Sequence, residues 1–210
     1  MPTIIKYALL AATVLLLAWF SVNIKKLDAV RAARTAAGFD ATVYANNFWQ
    51  HKLLPGLDKA IALDSLLGLL HTQKEAAFNN YSHALGIGNI RYFLVRGTGA
   101  VTAVHADDVS IGLLNDTAHT QAAIETEYIF GNAVRDASGL IDINDFKNTM
   151  DFNNVSVALN TIIRRQVLPA FTANVKKGDT VQFAGAIELN SEHLKTGDIK
   201  IMPVQLTLRP

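Results

Sequence analysis

The segment 128–151 carries the side chains best suited to binding chemistry in this chain. Arginine presents a planar fork of N–H donors, and a carboxylate and an amide beside it can complete a site for hydroxyls or a carboxylate. In this segment an adjacent arginine and aspartate are followed closely by a second aspartate and an asparagine. The pattern predicts four candidate ligand-binding residues, Arg135, Asp136, Asp145 and Asn148.

A structural interpretation of the same segment is open. Arg135 and Asp136 could form an ion pair that fixes the loop to the rest of the fold, because partly buried ion pairs commonly serve structure. The two interpretations differ in one respect that a structure can show. A ligand site needs the four side chains to converge on an open pocket, whereas a structural network uses them up in pairing with one another.

Four aromatic residues fall on segments with strand character, Tyr92, Phe93, Tyr128 and Phe130. Such residues can form a stacking platform for bases or sugars. Aromatic side chains on strands more often belong to a hydrophobic core, so the core interpretation is favoured here.

Other motifs of catalysis and metal binding are absent from the sequence. The six histidines stand singly with no HxH or HxxxH spacing, so no local zinc site is predicted. No serine lies in a GxSxG elbow, and neither GxG piece is completed into a phosphate-binding loop. We therefore predict no catalytic residue, no metal and no cofactor, and a protein that is not an enzyme. An envelope carbohydrate hydrolase using Asp136 and Asp145 is a less favoured alternative.

The charge balance bears on partners. Nineteen basic residues oppose 18 acidic ones, for a net charge of +1. A protein that holds phosphate backbone normally carries a basic excess, so nucleic acid is not a predicted partner. The chain has no cysteine, which excludes disulfides, thiolate chemistry and a lipid-modified cysteine in this sequence.

A helix predicted at 153–168 organises the fold. Val155, Leu159, Ile162 and Ile163 form one apolar stripe, Asn153 or Asn154 is expected to cap the start, and Pro169 is expected to end the helix. Three strand-like segments precede this helix and two follow it. That order predicts an α+β fold, a five-stranded OB-like Greek-key barrel with a helix between strands 3 and 4.

The strands are predicted from alternating apolar residues and from their turns. The first, at 91–104, is long and is expected to bend at Gly97 and Gly99. The second lies at 109–113, the third at 123–130 and the fourth at 181–189. In the last strand the apolar phase slips at Pro203, so a bulge or an edge position is expected there.

The length fits one ordinary domain with an appendage. We predict a membrane anchor or signal at 1–26, a helical cap at 27–88 and the OB-like barrel domain at 89–210. Within the cap, one helix is expected to end at Leu54 before Pro55. Four closely spaced leucines at 66, 67, 69 and 70 are too dense for an exposed helix and should pack on the barrel or on Phe48 and Trp49.

The N-terminal apolar run, 7–24, lies near the lower limit of the ~17–25 residues that cross a bilayer as a helix. A cleaved signal peptide is the alternative, but 18–23 lacks a clean pair of small residues for a peptidase. An uncleaved anchor is therefore favoured. More basic residues follow the run than precede it, so the positive-inside rule alone would leave the body in the cytoplasm.

The sequence resembles the bacterial family of predicted periplasmic lipoproteins known as domain of unknown function 2291. The resemblance rests on these pieces: FW at 48–49, LLP at 53–55, YSHALG at 81–86, VRGTGAV at 95–101, GNAVRDA at 131–137, INDFKN at 143–148, VSVALN at 155–160, VQFAGA at 181–186 and MPV at 202–204. It covers nearly the whole chain after the apolar run, and the block from Arg135 to Asn148 is its most specific part.

The resemblance implies a location and a neighbourhood but no reaction. Members look extracytoplasmic and membrane-attached, and they are often encoded beside sugar ABC-transporter components. Since this sequence lacks a cysteine for a lipid, an uncleaved helix would replace the lipid anchor. We therefore expect a single-pass inner-membrane protein with a periplasmic body, whose possible partners are sugar ABC-transporter components.

These expectations converge on a non-enzymatic binding or accessory module linked to sugar uptake. A structural scaffold that holds partner proteins at the envelope is the main alternative.

Overall fold

A computed structural model describes residues 38–85, 88–114 and 120–209. The chain from Ala41 onward forms one compact unit. The predicted anchor at 1–26 lies outside the described residues. Within the ranges that are described, no helix is long and apolar enough to cross a membrane.

The described residues form one sheet of seven strands. They are β1 (Ile61–Ala62), β2 (Ser82–His83), β3 (Ile90–Val104), β4 (Asp108–Leu113), β5 (Gln121–Glu125), β6 (Thr180–Asn190) and β7 (Ile199–Arg209). The order β3-β4-β5-β7-β6 closes because β6 also pairs with β3, and β5–β7 is its one parallel pair. The predicted five-stranded barrel is thereby confirmed. β1 and β2 are short additions that both pair with β3.

Helices pack against this barrel. They are α1 (Ala41–Phe48), α2 (Leu63–Thr72), α3 (Lys74–Tyr81), α4 (Ala133–Ala137), α5 (Thr149–Ile162) and α6 (Leu168–Thr172), with π-helical turns at Trp49–Leu53 and Ile163–Val167, a helical turn at Leu54–Gly56 and 3₁₀ turns at Leu57–Lys59 and Ile143–Asp145. The predicted helix between the third and fourth barrel strands is α5 with its continuation through α6.

Two predicted helix ends are wrong for the same reason. Helices were expected to stop before Pro55 and Pro169, yet both continue past the proline. In each case the preceding turn widens to π winding, with Leu54 N–H donating to the Trp49 carbonyl and Leu168 N–H to the Ile163 carbonyl. Each proline then falls in the first turn of a new α segment, where its missing N–H costs least.

The start of α5 also differs from the prediction. Asn148, not Asn153 or Asn154, is the N-cap, and its side-chain oxygen accepts a hydrogen bond from Asp151 N–H at 2.8 Å. The apolar stripe of Val155, Leu159, Ile162 and Ile163 begins inside α5, so the stripe alone predicts a helix start that is too late.

The third barrel strand is shorter than predicted. Alternation continues to Phe130, but β5 ends at Glu125. The next two N–H groups, of Thr126 and Glu127, both donate to the Asp107 carbonyl, which turns the chain away from the sheet. The alternation of polar and apolar residues cannot show at which residue the backbone stops pairing with the neighbouring strand.

The predicted bulge at Pro203 is confirmed. Ala184 pairs with Gln205 and Gly185 pairs with Pro203, so Val204 is the extra residue of β7. Pro203 and Val204 are consequently both buried, and the residues after them change face.

The barrel interior is the main hydrophobic core, and α2 lies against it. Leu66, Leu67 and Leu70 belong to the same buried cluster as Phe93, and Leu69 is partly buried against it. The predicted packing of these leucines on the barrel is confirmed. On β3, an added Cβ at Gly97 would lie 2.7 Å from the Phe183 ring, which shows why this long strand has no side chain there.

Candidate functional site

Arg135 and Asp136 are brought together inside the protein. Arg135 is 4% exposed and Asp136 6%, and Arg135 Nε donates to Asp136 Oδ1 at 2.6 Å. Arg135 Nη1 donates to the Phe152 carbonyl at 3.3 Å and to Asn153 Oδ1 at 3.4 Å. The guanidinium carbon lies 3.5 Å from the centre of the Phe152 ring. Arg135 thus ties α4 to the first turns of α5.

Asp145 and Asn148 lie elsewhere and are exposed. Asp145 belongs to the 3₁₀ turn, and Asn148 is committed to Asp151, accepting from its N–H and donating to its carboxylate at 2.8 Å. None of the four candidates lines either of the two cavities described below. The Arg135–Asp136 ion pair and the capping role of Asn148 favour the structural interpretation for these three residues, while a ligand role for the four candidates stays a prediction.

The capping role of Asn148 leads to a test. Asn148→Ala should lower the free energy of unfolding by about 1 kcal/mol, because an N–H of the first turn of α5 loses its partner. Asn148→Ser should retain most of the stability, since serine is also a good cap. Urea denaturation of both variants measures the difference, and an Asn148→Ala variant as stable as the wild type would show that the cap contributes nothing.

A series of aromatic contacts leads from the ion pair, through Phe152, to α1. Tyr44 of α1 meets Phe146 edge-on at 5.3 Å, and Phe146 meets Phe152 edge-on at 5.4 Å. Burial raises the pKa of Tyr44, and the charge of Asp145 raises it further. These contacts link α1, the residue after the 3₁₀ turn and α5 into one layer, which meets Arg135 through the Phe152 ring.

Tyr92 connects this layer to the barrel wall. Burial raises the pKa of Tyr92, and the charge of Glu188, its cross-strand neighbour on β6, raises it further. Asp136 and Arg135 act on the same hydroxyl in opposite directions, so the pair lies close behind β3. Tyr92 therefore remains protonated at neutral pH.

A cleft on the outer wall of the barrel is lined by several polar side chains. None of the four predicted site residues is among them. We call it the outer-wall cleft; its volume is about 460 Å³. It is lined by Leu57, Asp58, Ala62, Leu63, Asp64, Arg96, Gly97, Thr98, Leu113, Gln182, Phe183, Ala184, Gln205 and Thr207.

Strand register places the polar residues of the cleft side by side. One row across β3, β6 and β7 holds Thr98, Gln182 and Thr207, and the neighbouring row holds Arg96, Ala184 and Gln205. On each strand the members of the two rows are two residues apart, so their side chains lie on the same face of the sheet. Gln205 and Thr207 reach this face only because the bulge at Val204 shifts the phase of β7.

Two carboxylates border the same cleft from the helical side. Asp64 Oδ1 accepts a hydrogen bond from Ser65 N–H at 2.6 Å, while Asp58 is exposed. Within the described ranges, the guanidinium of Arg96 forms no hydrogen bond and no ion pair. An arginine in a concave polar site without a protein partner is available to a ligand.

The sequence carried a partial signal for this site. Thr98, Gln182 and Thr207 occupy the polar phase of three strands, but their polarity alone is what any solvent-facing strand shows. Only the pairing of β3 with β6 and of β6 with β7 brings them together.

The four aromatics do not form one platform. Phe93 is fully buried in the barrel core and meets Phe78 edge-on at 5.3 Å. Tyr128 and Phe130 lie beyond the end of β5, are 54% and 67% exposed, and meet each other edge-on at 6.4 Å. This exposed pair is held in place because Arg164 donates to the Ile129 carbonyl.

A second ion pair among the described residues lies at the β5–β7 junction. Lys200 Nζ is 3.0 Å from Oε1 of the buried Glu125, and this hydrogen bond, followed by the charge of Glu125, raises the pKa of Lys200. No group of three or more His, Cys, Asp or Glu side chains in the described part of the chain could hold a metal ion.

The model of the family described as predicted periplasmic lipoprotein, domain of unknown function 2291, matches residues 12–207. The chain belongs to this family. Membership indicates a protein of the cell envelope and agrees with the resemblance drawn from the sequence. No curated protein matches the chain.

Solved structures agree on the fold. An OB-fold protein from Thermotoga maritima superposes with a TM-score of 0.72 at 23% identity, and the match covers 82% of this chain and 99% of that one. At this identity the likeness establishes an OB-type fold and carries no function.

Proposed function

We propose that this family member is a periplasmic, non-enzymatic binding module that holds a small, neutral, hydroxylated ligand in the outer-wall cleft. The observation that supports it most is the set of polar side chains from three barrel strands around Arg96, whose guanidinium has no partner within the described ranges. In this proposal the apolar run 7–24 attaches the protein to the inner membrane, and sugar ABC-transporter components receive or deliver the ligand.

The chemistry of the cleft suits hydroxyl groups. Each glutamine amide both donates and accepts hydrogen bonds, and each threonine hydroxyl does the same. A sugar or polyol presents the same mixture of donors and acceptors. The volume of about 460 Å³ lies within the usual range of small-molecule sites. Asp58 and Asp64 offset the charge of Arg96, which favours a neutral ligand over an anion.

The test uses the full-length chain in a polyoxyethylene detergent, because detergents with sugar headgroups would compete for the site. Thermal shift against neutral pentoses, hexoses and inositols identifies a ligand, since saturation at a hundredfold over Kd adds about 2.7 kcal/mol of stability. Calorimetry then gives the Kd for the wild type and its variants.

Arg96→Ala should weaken binding roughly 10- to 100-fold, because a charged donor to the ligand is lost. The Tm without ligand should stay near that of the wild type, since the Arg96 side chain is exposed and bonds to no described residue. Arg165→Ala is the matched control, as Arg165 is an exposed arginine outside the cleft.

Three outcomes contradict the proposal. Binding that is unchanged in Arg96→Ala places the ligand elsewhere, and recovery of a chemically altered ligand makes the protein an enzyme. Failure of the whole panel favours the scaffold alternative, for which the exposed pair Tyr128 and Phe130 would be the first residues to replace.

A further inference from the structure

A second cavity lies on the other side of the segment that borders the outer-wall cleft. Its volume is about 490 Å³, and it opens where β1 and β2 leave a gap along one edge of β3. It is lined by Lys52, Pro55, Gly56, Lys59, Ile61, Asn80, Tyr81, His83, Leu94, Ala137, Ser138, Gly139 and Leu140. We call it the basic cavity.

The charged side chains that line the basic cavity are both lysines. Lys52 and Lys59 line it together with His83, and no carboxylate is among the lining residues. In the part of the chain that the structure describes, neither lysine ammonium forms an ion pair or a side-chain hydrogen bond. This differs from the outer-wall cleft, where two aspartates accompany the one arginine.

The His83 ring packs closely against Gly139 in the wall of the cavity. Gly139 has a φ of +61°, and a Cβ added there would lie 2.4 Å from Cε1 of the imidazole. The ring therefore lies directly against the backbone of the turn after α4. That turn is fixed in its place because Ser138 Oγ donates to the Arg135 carbonyl at 2.7 Å and accepts from Leu140 N–H at 3.2 Å.

Two like charges that share a cavity repel each other, and an anion between them removes that cost. The net charge of +1 means that the whole molecule is not basic, so the concentration of bases here is local. Asn80 and the Tyr81 hydroxyl add neutral donors and acceptors beside the cations.

We propose that the basic cavity is a second binding site, which takes the carboxylate or phosphate group of a small hydroxylated molecule. Lys52 and Lys59 neutralise the anion, while Asn80 and Tyr81 bond to its hydroxyls. The site is independent of the neutral-ligand site around Arg96.

Calorimetry on the full-length chain in polyoxyethylene detergent tests this with four probes: glucuronate, glycerol phosphate, inorganic phosphate and glucose. We expect the anions to bind and glucose to leave this site empty. Tightest binding of glycerol phosphate would point to a lipid headgroup as the source of the anion, and tightest binding of glucuronate to a soluble sugar acid. Either result supports the site.

Lys52→Gln with Lys59→Gln should weaken anion binding about tenfold or more, because two charged donors are lost. Lys177→Gln with Lys195→Gln is the matched control, since both lysines are exposed and outside the cavity. Arg96→Ala should leave anion binding unchanged, which separates this site from the outer-wall cleft. Absence of anion binding, or equal binding in the Lys52 and Lys59 double variant, would overturn the proposal.

Discussion

Arg135→Ala is expected to lower the free energy of unfolding by about 3–5 kcal/mol, because it leaves the buried carboxylate of Asp136 without its cation. The same change removes the bonds to the Phe152 carbonyl and Asn153 and the contact with the Phe152 ring. For a protein of this size the Tm should fall by roughly 6–20 °C.

Thermal and urea denaturation measure this effect, with Arg165→Ala as the exposed control. Arg135→Lys should recover only part of the loss, since an ammonium cannot bond through a planar fork to Asp136 and the start of α5 at once. A Tm of Arg135→Ala close to that of the wild type would show that the pair is not structural. In that case the four predicted ligand-binding residues would again deserve a binding assay.

Gly185→Ala should destabilise the barrel by about 1–3 kcal/mol through overpacking. A Cβ at this position would lie 2.5 Å from the Met202 carbonyl oxygen and 2.9 Å from Cγ2 of Ile201. The first of these atoms belongs to the backbone of β7 next to the bulge, so it cannot turn aside as a flexible side chain could. The strands must separate, which also disturbs the rows that line the outer-wall cleft.

The same substitution at Gly68 should act in the opposite direction. Gly68 is exposed in α2, and an added Cβ meets no atom within 4 Å. Gly68→Ala should therefore raise the free energy of unfolding by about 0.5–1 kcal/mol, because alanine loses less backbone entropy in a helix. Urea denaturation of both variants measures the contrast, and equal effects would mean that the close contact at Gly185 relaxes without cost.

One segment separates the two proposed sites. Asp58, Ala62 and Asp64 border the outer-wall cleft. Lys59 and Ile61, which lie between Asp58 and Ala62 in the chain, border the basic cavity. Substitutions in this segment can disturb both sites. For this reason Arg96, which belongs to barrel strand β3 and lies outside this segment, is the cleaner probe of the cleft.

The barrel order was predictable because it depends on local signals. Period-two alternation marked four of the strands nearly to their ends, and glycines, Pro203 and the turn at 177–179 marked their interruptions. An apolar stripe at helical spacing between the third and fourth strands completed the pattern of an OB-type fold. The dense leucines of α2 indicated burial in the same way.

The helix limits at Pro55 and Pro169 were not predictable from local rules. A proline ends a regular α-helix, but a π turn before it provides a new first turn that accepts it. The residues next to each proline do not indicate that the preceding turn is π-helical.

The function-bearing geometry depended on tertiary structure for a related reason. The sequence indicated Arg135 and Asp136 as ligand-binding residues because their side chains can form many kinds of hydrogen bond. In the structure the two side chains are buried and form an ion pair with each other, and Arg135 packs on Phe152. Arg96, Gln182 and Gln205 are distant in the chain and individually ordinary, and strand pairing with a bulge at Val204 brings them to one cleft. The sequence by itself therefore determined the fold class and the family, because these depend on local periodicity and on short motifs. Tertiary structure alone decided which polar side chains are consumed by the fold and which face a cavity, because burial and strand register arise only when distant segments meet.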